Sequence, residues 1–146
     1  MKARSGANRR TQVAEAVARL QPADPSVAVS DDHVGLARLV TRALDADRPV
    51  DKRDVALAVR ALCEHYGEIR GGRTVELRVP PYAAVQLAAE GDTGSTHTRG
   101  TPPNVVETDP ETLLRLATGS LRWAEAVASH RLRRSGVHAD LASLFE

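Results

Sequence analysis

The hydrophobic pattern of this chain changes period near its middle, and that change sets the fold class. Val55, Val59, Leu62, Cys63 and Tyr66 recur at helical spacing and form one apolar stripe. Soon after, Val75, Leu77 and Val79 alternate with Glu76 and Arg78, the period-two signature of a half-buried strand. A chain holding both periods must lay helix faces on a sheet face. The predicted class is therefore α+β, a small antiparallel sheet covered by helices, with extra helices at the N-terminus.

Punctuation places the remaining elements. Residues 1–10 are polar and basic and read as a flexible arm, followed by a helix from Thr11 to Leu20. Ser30 or Asp31 caps a second helix with the stripe Leu36, Leu39, Val40, Ala43 and Leu44, which Arg48-Pro49 stops. Asp51 opens the third helix, and Gly67 suits its end. Beyond the first strand, Tyr82–Ala89, 97–101 and 104–107 read as further strands, and Arg131–Ser135 as a late one. Asp109-Pro110-Glu111 starts a leucine-rich helix that Gly119 ends. Ser120 caps the next helix, with Leu121, Ala124, Val127 and Ala128 as its apolar face, and Ala139–Leu144 forms a last helical turn or two. The expected organisation is an arm over 1–10, a helical segment over 11–50 and an α+β unit over 51–146.

Charge and cysteine content exclude several function classes. Residues 1–66 carry eleven basic and nine acidic groups (+2), and residues 67–146 carry nine and ten (−1). Neither half has the one-sided field of a nucleic-acid binder. The single cysteine, Cys63, leaves no intramolecular disulfide and no multi-cysteine metal site, and its place on an apolar stripe makes it a buried, inert thiol. His33, His65, His97, His130 and His138 show no metal-ligand spacing. No nucleophile elbow is present, and Gly71-Gly72 lacks the downstream residues of a phosphate loop. No apolar run approaches the roughly 18–20 residues of a membrane span. A cytoplasmic protein without a cofactor is expected. Only four residues are aromatic, Tyr66, Tyr82, Trp123 and Phe145. The core must therefore be built from Ala, Val and Leu, which either interlock or leave space.

The last third reads Glu107-Thr-Asp-Pro-Glu-Thr-Leu-Leu-Arg-Leu-Ala-Thr-Gly119, then Leu121 and Ala126, Ser135-Gly136, and Leu141 and Leu144. The middle reads Glu76-Leu-Arg-Val-Pro-Pro-Tyr-Ala-Ala-Val-Gln86 and His97-Thr-Arg-Gly-Thr-Pro-Pro-Asn-Val-Val-Glu107. In these turns and their order, residues 51–146 resemble the sterol carrier protein two family, in its actinobacterial branch of bacterial sterol carrier orthologues. One departure is local: Ser129-His130-Arg131-Leu132 lacks the Gly expected before the late strand.

The resemblance implies a five-stranded sheet covered on one face by helices, with an apolar tunnel that takes a fatty acyl chain, acyl-CoA or sterol and does no chemistry. Its lining would be Val75, Leu77, Val79, Val85 and Leu87 from the strands, opposite Leu113, Leu116, Leu121, Val127, Leu141 and Leu144. Arg78, Tyr82, Arg99 and Asn104 are the candidates for a tunnel mouth or a head-group contact, since guanidinium binds carboxylate and phosphate well. Arg131, Arg133 and Arg134 could serve likewise, or blunt a sheet edge. The alternative is an accessory domain with a closed core serving a partner enzyme through the N-terminal helices, for the same fold accompanies mycothiol-dependent isomerases and acetyltransferases.

Overall fold

The computed structural model describes residues 2–27, 32–90 and 103–146. The described elements are α1 (Lys2–Leu20), α2 (Asp32–Asp45), α3 (Lys52–Arg70), β1 (Gly71–Val79), β2 (Ala83–Leu87), β3 (Asn104–Thr108), α4 (Pro110–Thr118), α5 (Trp123–Ala128), β4 (Leu132–Ser135) and α6 (Ala142–Phe145). The expected strand over 97–101 and the cap at Ser30 or Asp31 lie outside the described residues.

Local chemistry sets most boundaries. The Asp51 carboxylate accepts a hydrogen bond from the Arg53 backbone N–H at 2.8 Å and so starts α3. Asp109 accepts from the Thr112 N–H at 3.0 Å, and Pro110 fills the first helical position of α4. Gly119 ends α4 at φ 80°, and the Leu121 N–H reaches back to the Arg115 carbonyl at 3.2 Å.

Several boundaries differ from the sequence reading; the last helix, expected over Ala139–Leu144, runs Ala142–Phe145. Helix α1 begins at Lys2, so it takes in the stretch expected to be an arm. Arg and Ala are strong helix formers, and apolar periodicity does not register a helical turn that has no apolar stripe in its sequence. Helix α3 does not end at Gly67 but runs on to Arg70. Gly67 serves close packing instead: a Cβ there would come within 3.1 Å of Val85 Cγ2 on β2. In α5 the buried residues are Trp123 and Ala126, while Ala124 and Ala128 are exposed, and the N-cap is Arg122 rather than Ser120. The tryptophan turns the helix to bury its own large surface.

The described sheet has the order β2-β1-β3-β4. It is mixed, which corrects the expected antiparallel pattern. β1 pairs antiparallel with β2, and β3 with β4, but β1 and β3 run parallel, with Val75 opposite Asn104 and Leu77 opposite Val106. β2 ends beside the beginning of β1, and β3 also begins there and runs in the direction of β1. Period-two alternation carries no information about direction.

One face of the sheet holds Val75, Leu77, Val79, Leu87 and Val106, all buried. Glu76, Arg78, Gln86, Glu107 and Arg133 line the other. Helix α3 packs on β1 and β2 and also touches α1, α2 and α4. Leu36, Leu39 and Val40 of α2 and Val13 and Val17 of α1 belong to the same apolar cluster as the strand residues.

Candidate functional site

The strand and late-helix positions singled out from sequence converge. Val75, Leu77, Val79, Leu87, Leu113, Leu116 and Leu141 are within 1% of complete burial and join one cluster with Val59 and Leu62 of α3. Val85, Leu121, Val127 and Leu144 are half-buried and pack against its rim. The interior is almost wholly aliphatic, as the scarcity of aromatic residues requires.

Three of the four aromatic residues gather at one seam. Phe145 of α6 meets the Tyr66 ring edge-on at 5.6 Å and stacks on Trp123 at 6.0 Å. Such pairs hold beyond their buried area. A polar contact reinforces the seam. Arg70, one turn beyond Tyr66 on α3, donates from Nη1 to Ser143 Oγ at 2.6 Å and from Nε to the Ala88 carbonyl at 3.1 Å. The guanidinium thus joins the end of α3, the exit of β2 and the closing helix α6. Its remaining Nη2 is buried with no partner among the described residues. Sequence reasoning missed Arg70 because it ended the helix at Gly67. A helix continued to Arg70 would have put that residue on the Tyr66 face by its i, i+4 spacing.

The polar candidates lie elsewhere. Arg78 stands on the outer face of the sheet, where it pairs with Glu76, and that contact raises its pKa. Tyr82 sits at the β1–β2 turn, its ring under the Arg60 guanidinium at 5.9 Å. It lines a surface cleft of about 670 Å³ between α1 and α3, with Arg9, Arg19, Lys52 and Arg60. Asn104 uses both ends of its amide on backbone, donating to the Thr74 carbonyl at 2.9 Å and accepting from the His138 N–H at 2.9 Å. Arg99 lies outside the described residues. Arg133 and Arg134 are exposed on the outer strand β4, and Arg131 is exposed just before it.

Two further groups bear on chemistry. Burial pushes the Cys63 thiol up to about 12, so it stays protonated and unreactive at neutral pH. His33 and His65, far apart in sequence, stack at 3.8 Å. Among the described residues no three His, Cys, Asp or Glu side chains are grouped to hold a metal ion. No described helix is long and apolar enough to cross a membrane.

Residues 51–145 match the family described as bacterial SCP ortholog. The chain belongs to that family. The matched span runs from the cap of α3 to the penultimate residue, and it holds every described strand and the α6 seam. No curated protein matches the chain. Helices α1 and α2 of this SCP ortholog lie before the matched span, although their apolar residues complete its core.

Proposed function

We propose that this bacterial SCP ortholog is a non-enzymatic lipid carrier that holds one acyl chain between the inner face of its sheet and the α4–α6 segment. The observation that carries the reading is the continuous aliphatic interior, closed at one side by a four-residue helix at the end of the chain. Helix α6 has four residues, none of them fully buried, so moving it exposes less apolar surface than moving any core helix would. The membership in the SCP ortholog family supports a lipid as the guest. Affinity needs no dedicated polar site. At about 0.8 kcal/mol for each buried CH₂, a sixteen-carbon chain gains on the order of 10 kcal/mol before entropy costs.

Titration with a fluorescent fatty acid tests the reading. Saturable binding at one site, abolished by Leu116→Trp or Val127→Trp with melting still cooperative, is the expected result. The near-complete burial of the interior favours a second reading, an accessory domain with a permanently closed core. On that reading no fatty acid binds, and both Trp variants unfold because they overfill packed space.

A further inference from the structure

We infer that Arg70 anchors the carboxylate of the acyl ligand and that Ser143 holds this place when no ligand is bound. The inference rests on the lipid-carrier reading and adds the polar end of the site. Arg70 carries a full positive charge, and no carboxylate pairs with it among the described residues. Its Nη1 meets only a neutral hydroxyl, and its Nη2 is buried without an acceptor. A buried guanidinium edge with one weak acceptor and one orphaned N–H fits a group with two negative oxygens, because a carboxylate satisfies both nitrogens in parallel. The position suits an amphiphile. Ala88, which accepts from Nε, follows the fully buried Leu87, and Ser143 lies between Leu141 and Leu144. The charged edge therefore sits where the aliphatic interior meets α6. A carboxylate taking Nη1 and Nη2 displaces the Ser143 hydroxyl, which removes the polar tie of α6 to α3. Loading the head group and loosening the closing helix are then one event.

Calorimetric titration of lauric acid and dodecanol, which share one chain length and differ in the head group, tests this. The wild-type protein is expected to bind the acid roughly tenfold or more tightly than the alcohol. Arg70→Gln should bring the two to within about twofold by weakening the acid alone, and Arg70→Lys should keep part of the preference. Ser143→Ala, which removes only a hydroxyl, should tighten the acid several-fold and leave the alcohol unchanged. Equal affinities in the wild type, or a preference that survives Arg70→Gln, overturn the role of Arg70 and leave the carrier reading standing. If neither ligand binds, both fall. Should Arg70→Gln fail to fold, Ser143→Ala decides: an unchanged acid affinity refutes the exchange.

Discussion

His130 shows how a single residue can stand in for a missing glycine. A Gly is the residue expected from sequence just before the late strand, and the structure puts His130 there at φ +60°. The Arg131 N–H reaches back to the Ala126 carbonyl at 2.9 Å, so the turn forms with the strain in place. A left-handed non-glycine residue costs about 1–2 kcal/mol, partly offset by the extra unfolded-state freedom that glycine would bring. His130→Gly should therefore stabilise the protein by about 1 kcal/mol and raise Tm by about 3 °C, read by thermal melting. Gly136, at φ +99°, permits no such exchange in reverse, since a Cβ there would lie 2.2 Å from Asn104 Oδ1. Cys63 supplies a pH test. Its thiol rises from an ordinary 9.0 to about 12 in the folded protein, so above pH 9 the unfolded chain loses a proton that the native chain keeps. The stability that comes from the neutral buried thiol is complete below pH 9 and is lost progressively as pH rises from there towards 12. Cys63→Ala should flatten that part of the pH profile in chemical denaturation.

At the scale of elements, legibility followed the strength of local signals. Helix α4 was readable from both ends because Asp109, Pro110 and Gly119 are all specific to helix termini. Strand β1 was readable because polar and apolar residues alternate without a break. The end of α3 was not, because Gly67 answers to the packing of Val85 and not to a cap, and that contact is formed by residues far apart in sequence. This one boundary also hid Arg70 and with it the α6 seam. The parallel pairing of β1 with β3 was illegible for another reason, since strand direction depends on where the preceding strand ends. The seam can be watched directly. Trp123 is the single tryptophan of the chain and stacks on Phe145. Phe145→Ala should move its emission to longer wavelength while far-UV circular dichroism stays near native. A fatty acid that loosens α6 should move the wild-type emission the same way. Unchanged emission in the variant would mean that α6 does not cover Trp123 in solution.

Across the whole molecule, the aliphatic candidates share one interior while the polar candidates Arg78 and Asn104 do not join it. Burial is a cumulative property of pattern, so the strand valines and the late leucines could be gathered from sequence into one interior. Head-group contacts are not cumulative. Arg78 alternates out of the core and faces away from it, and Asn104 is bound to two backbone groups. Which of the eighteen arginines meets a buried seam is read only once α3 is carried past Gly67 to Arg70. A lipid-carrying role requires the interior to open for an apolar guest. The most direct measurement is to purify the protein without detergent, extract it under denaturing conditions and identify the extract by mass spectrometry. The expected result is acyl-chain lipid at close to one molecule per chain. A lipid-free extract from protein that also fails to take up added fatty acid would contradict it.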